Sequence, residues 1–305
     1  MTSVFRTLGI VLALWQPASS VASHQPSDTG GALISVGEHR LFLSCSGPTG
    51  KGPTILLEAG GGGTSADWNL VREQLGTDVR VCAYDRAGLG RSERGPSPRT
   101  MRQEVFELHA LLAAAKEPAP YVLVGQSIGG LLARLFAQSY LDEVAGVVLV
   151  DPTHESGMLG SLRYGGWVRL REKATGREVP APRRAMAGGP PGDPAADYMA
   201  EELQQIFLAR QTTPQPLGQR PLIVLAAGKR PAPPPGTSMD LWTTMRDERD
   251  GQVKELAGLS SNARFVRDDT SGHGIHRDNP SLVAQAIRDV RDAALSKKPL
   301  PPSPR

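Results

Sequence analysis

The stretch from Tyr121 to Ala137, YVLVGQSIGGLLARLFA, sets the tightest limits on how this chain can fold. Four β-type apolar residues, Tyr121 to Val124, run into Gly125-Gln126-Ser127-Ile128-Gly129, with Gly130 next. Beyond them Leu131, Leu132, Leu135 and Phe136 recur at helical spacing and define one apolar face. A strand, a tight turn and a helix in direct succession is the setting in which the serine of G-x-S-x-G becomes a nucleophile. Glycine lets the backbone reverse this sharply with strand and helix packed close, which leaves the Ser127 hydroxyl projecting from the sheet edge. The five-residue pattern alone is weak, because glycine supplies 34 of the 305 residues; the flanking elements carry the weight.

The rest of the chain repeats the same rhythm. Apolar β-type runs fall at residues 32–36, 40–44, 54–58, 80–84, 121–124, 146–150, 222–226 and 264–267. Several are continuous, such as Val147-Val148-Leu149-Val150, as strands buried on both faces of a parallel sheet read. Helical patterns at 66–75, 102–115, 129–140 and 281–295 alternate with them, which predicts a doubly covered, mostly parallel sheet. Residues 153–220 interrupt it with a Pro/Gly/Arg-rich centre and one helical run near 198–210. That is too long for an ordinary connection, and a cap or lid over the strand ends is the expectation, on a core of 32–152 and 221–296. The Pro-rich tail, 297–305, reads as unstructured.

Charge and cysteines narrow the function class. A formal net charge of +3, with 21% charged residues and no basic stripe interleaved with aromatics, argues against a nucleic-acid partner and leaves a small molecule. At the N-terminus Arg6, the apolar run Leu8 to Trp15 and the small residues Ser20-Val21-Ala22 read as a signal peptide over residues 1–22. A secreted or periplasmic protein is the expectation, with no stable membrane span after cleavage. In such a setting Cys45 and Cys82 can pair, or can be two buried thiols. No G-x-G-x-x-G enters a helix, no G-x-x-x-x-G-K-[ST] occurs, and no Cys/His group has zinc-ligand spacing. Neither cofactor nor metal is expected.

An activated serine needs a base within hydrogen-bond reach and a carboxylate to hold that base in the right tautomer. Around this type of turn the partners follow in the order Ser, acid, His. His24, His39 and His109 precede Ser127, and His154 follows the sixth strand too soon. His273 and His276 remain, in SGHGIHRDNP. Gly272 and Gly274 flank His273 and give it a loop able to aim the ring across the sheet, whereas His276 reads as a supporting or helix-entry residue. For the acid, Asp151 at the end of the sixth strand leads, with Asp240 in DLWTTMRDERD and Glu155 as alternatives. Two backbone N–H groups must meet the oxyanion: that of Ile128, and one from the loop Gly60-Gly61-Gly62-Gly63.

Together EAGGGGTSADW, YDRAGLGRS, GQSIGG and SGHGIH resemble the α/β-hydrolase fold superfamily over residues 32–295. The resemblance implies an eight-stranded, mostly parallel sheet flanked by helices, with a lid insertion after the sixth strand. In many relatives the first motif begins His-Gly; here Ala59-Gly60 stands there, and Gly61 aligns with the oxyanion donor. Some members carry their acid after the sixth strand, which matches Asp151. The implied sheet order, 1-2-4-3-5-6-7-8, sets the second and fourth strands side by side and so implies a Cys45–Cys82 disulfide. A serine nucleophile implies hydrolysis of an ester or amide through an acyl-enzyme: Ser127 attacks, His273 moves the proton, Asp151 orients it, and Gly61 and Ile128 hold the oxyanion. Other chemistry on the same fold is a cofactor-free lyase or peroxidase-like activity, or non-catalytic binding.

Overall fold

Residues with continuous apolar runs form the middle of one sheet. The computed structural model describes residues 30–159, 194–229, 231–233 and 239–302. The predicted signal peptide and the centre of the predicted lid lie outside the described residues. Strands β1 (Ala32–Ser35), β2 (Arg40–Ser46), β3 (Thr54–Glu58), β4 (Val81–Tyr84), β5 (Tyr121–Gln126), β6 (Val144–Val150), β7 (Leu222–Ala227) and β8 (Ala263–Asp268) pair in the order β1-β2-β4-β3-β5-β6-β7-β8. The pairings β1–β2 and β2–β4 are antiparallel and the other five parallel. All residues of β3, β5 and β7 are buried, as the central strands of a sheet covered on both faces must be.

The two-residue period of the strands sorts their side chains into two cores. Leu56, Leu123, Leu149 and Val224 face one side and pack with α2 (Met101–Ala114) and α3 (Ile128–Ser139). Leu57, Val124, Val148 and Leu225 face the other, against α1 (Asn69–Leu75) and the C-terminal helix Pro280–Ser296. Between them in sequence come α4 (Pro194–Thr212), α5 (Met239–Glu255) and the single turn α6 (Ile275–Asp278), which makes the C-terminal helix α7. A 3-10 turn, Ser65–Trp68, leads into α1.

The strand order is the one implied by the resemblance, and it places Cys45 directly opposite Cys82 in the β2–β4 ladder. The two are joined in a disulfide, with Cα atoms 4.1 Å apart. Within the interval 153–220, α4 buries Leu203 and Ile206. Its Glu202 carboxylate accepts from the backbone N–H groups of Met101 and Arg102, each at 2.9 Å, where the positive end of the α2 dipole favours an anion. Past α7 the tail has neither helix nor strand through Pro302, yet the Leu300 N–H donates to Asn262 Oδ1 at 2.9 Å and Arg264 donates to the Pro301 carbonyl at 2.8 Å. Among the described residues no helix is long and apolar enough to cross a membrane.

Candidate active site

Ser127 sits where β5 gives way to α3, with φ 55° and ψ −122°. This sparsely populated conformation is held by close packing on both sides. A Cβ on Gly125 would lie 2.3 Å from the Gly129 carbonyl oxygen, and one on Gly129 would lie 2.5 Å from that of Glu58. Both contacts are with backbone, so no side chain fits at either position. The Ser127 N–H donates to the Val150 carbonyl at 3.1 Å, and the Thr153 N–H donates to the Ser127 carbonyl at 2.9 Å, pinning the turn to the end of β6.

Three side chains named from the sequence meet at this edge. Ser127 Oγ lies 3.0 Å from His273 Nε2, and His273 Nδ1 lies 2.6 Å from Asp151 Oδ2. With Nδ1–H donating to the carboxylate, Nε2 keeps its lone pair for the serine proton. Asp151 is 1% exposed, while the His273 side chain is 58% exposed and open to a ligand. Burial alone would raise the Asp151 carboxyl. The His273 hydrogen bond, the Arg249 charge and the Ala227 N–H outweigh it and hold the group below the ordinary carboxylate range. Gln126, the residue before the serine, donates from Nε2 to the His273 carbonyl at 3.1 Å and so ties the histidine loop to β5.

The glycine-rich loop after β3 flanks Ser127. A Cβ on Gly60 would stand 3.4 Å from Ser127 Cβ, and one on Gly61 would stand 3.7 Å from Ile128 Cγ2, so the loop lies directly over the start of α3. Ile128 is the first residue of α3, where backbone N–H groups have no intrahelical acceptor. Behind the loop, the buried Arg86 guanidinium donates to the carbonyls of Ala59 at 2.7 Å and Gly60 at 2.6 Å, and pairs with Glu58 at 2.5 Å. Tyr84 also donates to Glu58. The loop is closed on itself by the Gly63 N–H, which donates to the Gly60 carbonyl at 3.1 Å.

Residues 55–286 match the Alpha/beta hydrolase family. The chain belongs to this family. An uncharacterized protein of Bacillus subtilis (strain 168), YqjL, is 28% identical over 246 residues, spanning 80% of this chain and 85% of its own. A thermophilic esterase from Thermogutta terrifontis superposes with a TM-score of 0.57 and 25% identity, over 87% of this chain and 99% of that one. The enol-lactonase from Burkholderia xenovorans LB400 superposes with a TM-score of 0.55 at 20% identity, over 86% and 99%, and shares the fold. Family and relatives support a hydrolase acting on a small molecule.

The other residues weighed in the sequence lie elsewhere in this hydrolase. Asp240 is exposed in the first turn of α5 and makes no hydrogen bond to His273. Glu155 is buried between Arg134 and Arg210; burial opposes its charge, but Arg134 above all, with His154, brings the carboxyl down to about 2. His276 is 2% exposed and packs on Trp68 with ring centroids 4.9 Å apart. A cavity of about 240 Å³ opens beyond Arg134 toward Ile206 and Leu259; it touches none of Ser127, Asp151 and His273. Cys45, Cys82 and Glu117 bring metal-ligating atoms within 4.8 Å of one another, but the two sulfurs are bonded together. Sequence reasoning missed Gln126, Arg86 and Arg249, each of which acts across the fold. The one signal was the position of Gln126 and Arg86 inside motifs already singled out.

Proposed function

We propose that this chain is a serine hydrolase that cleaves a small-molecule ester or amide through an acyl-enzyme intermediate. The observation that carries it is the chain of contacts Ser127 Oγ to His273 Nε2 at 3.0 Å and His273 Nδ1 to Asp151 Oδ2 at 2.6 Å. His273 takes the Ser127 proton as Oγ attacks the carbonyl carbon, and returns it to the leaving group as the tetrahedral intermediate collapses. Water then repeats the cycle against the acyl-enzyme. Asp151 holds the imidazole and stabilises its charged form. The N–H groups of Gly61 and Ile128 receive the oxyanion, which is absent from the bound substrate and develops on the way to the tetrahedral intermediate, so their hydrogen bonds lower the barrier. The likeness to an esterase at 25% identity supports an ester as the first substrate class to try. The Cys45–Cys82 disulfide supports work in an oxidising compartment, in keeping with the N-terminal pattern.

A fluorophosphonate probe and p-nitrophenyl acetate test this together. Wild-type protein is expected to be labelled and to turn over the ester. Ser127→Ala is expected to lose both, and His276→Ala to keep labelling. Labelling of Ser127→Ala at the wild-type rate would overturn the assignment.

A further inference from the structure

Asp151 Oδ2, the oxygen that holds His273, has a second donor. Arg249 Nη2 lies 2.5 Å from it, while Oδ1 takes the Ala227 N–H at 2.9 Å. Arg249 stands on α5, the helix that follows β7, and its side chain is 28% exposed against 1% for Asp151. Another charged neighbour is Asp250, whose Oδ1 lies 3.9 Å from Nη1, and which itself pairs with Arg267 at 2.8 Å. His273 faces Asp151, Ser127 and Gln126, and the buried His276 lies near enough to feel the charge of a protonated His273. A guanidinium on the oxygen that the imidazole uses does two things. It fixes the carboxylate plane, and it cancels part of the negative field that would otherwise stabilise a protonated His273.

We infer that Arg249 is a positioning residue of this site: acting through Asp151, it aims the carboxylate at His273 and sets the acid limb of activity. The inference rests on the acyl-transfer reading. With Arg249 neutralised, the full Asp151 charge acts on the imidazole. The base then stays protonated to higher pH, and the acid limb moves up. Asp151 remains ionised, since His273 and the Ala227 N–H still hold it.

The test uses the full chain as wild type, Arg249→Gln, Arg249→Met and Arg249→Lys, each checked for cooperative unfolding. The kcat/KM of p-nitrophenyl acetate hydrolysis is followed against pH, and the His273 ring protons are titrated by NMR. The neutral variants are expected to shift both the acid limb and the NMR midpoint upward by about one pH unit, whereas Arg249→Lys stays near wild type. Neutral variants that titrate at the wild-type midpoint overturn the inference, as does a uniform loss of rate with an unmoved limb. Because the NMR midpoint does not depend on turnover, a shifted midpoint in a protein inert toward the ester and the probe sustains the Arg249–Asp151 coupling. The same result would remove the acyl-transfer reading.

Discussion

Ser127 and Asp151 are two of the four non-glycine residues with positive φ among the described residues, at 55° and 42°. They end neighbouring parallel strands, and each turns its side chain out of the sheet toward the same histidine. Strain persists where surrounding structure over-determines it, and two such positions meeting at one imidazole support a functional edge. Asp151→Asn would keep the shape of the acid but cannot hold Nδ1–H in the productive tautomer. A fall in kcat on the order of 10³–10⁴-fold is expected for p-nitrophenyl acetate, with Asp240→Asn unchanged. Equal losses in the two variants would return the acid to open choice. Ser127 and His273 were legible because a turn motif and chain order are local information. The acid was legible only in part: Asp151 led from its place at the end of a strand, but Asp240 and Glu155 also satisfy the order, and only three-dimensional reach separates the three. Arg249 lies 98 residues from its partner, and no sequence pattern ties a helix arginine to a distant carboxylate.

The β3–α1 connection shows how an element can be organised from beneath. Its glycines give it no rigidity of their own. The Arg86 guanidinium, coming from the end of β4, supplies that rigidity by holding two successive carbonyls and the Glu58 carboxylate. Asp67 closes the far end: its carboxylate accepts from the Thr64 N–H at 3.0 Å, and its own N–H donates to the Thr64 carbonyl at 3.1 Å. Arg86→Met would strand the buried Glu58, whose carboxyl burial already raises, and free the loop. A loss of about 3–5 kcal/mol in urea unfolding is expected, with part of it recovered in Glu58→Gln/Arg86→Met. If the double variant also regains wild-type turnover, the loop needs no guanidinium. Strands were read from the sequence with small errors at their ends, because burial on both faces leaves an unbroken apolar run. The end positions depend on ladder partners instead, as where Tyr121 pairs with Val144 and starts β6 two residues ahead of its predicted beginning. The first helix was read as one piece, but Trp68 closes a 3-10 turn before α1 begins.

The parallel arrangement brings the loops after β3, β5, β6, β7 and β8 to one edge of the sheet, the usual place for ligands in such folds. Every group assigned a role in the chemistry stands at those strand ends or on the helices that follow them, so the site depends on the packing of the whole sheet. His276 couples that packing to pH. It is wedged behind His273 against Trp68, and its Nδ1 is buried without a hydrogen-bond partner. Burial foremost, with help from Arg277 and His273, lowers its pKa to about 4, against the opposing pull of Asp67 and Asp278. The folded protein therefore keeps this ring neutral while the unfolded chain takes up a proton near pH 6.5. Stability from this residue is complete above pH 6.5 and falls as the pH drops toward 4, by about 3 kcal/mol in all. His276→Phe retains an aromatic ring against Trp68 and removes the titration. Urea unfolding of the two proteins at pH 8, 6, 5 and 4 should show the wild type losing stability faster than the variant below pH 6.5, with the two curves parallel above it. Parallel curves throughout would mean that His276 takes up its proton in the folded state as readily as in the unfolded one.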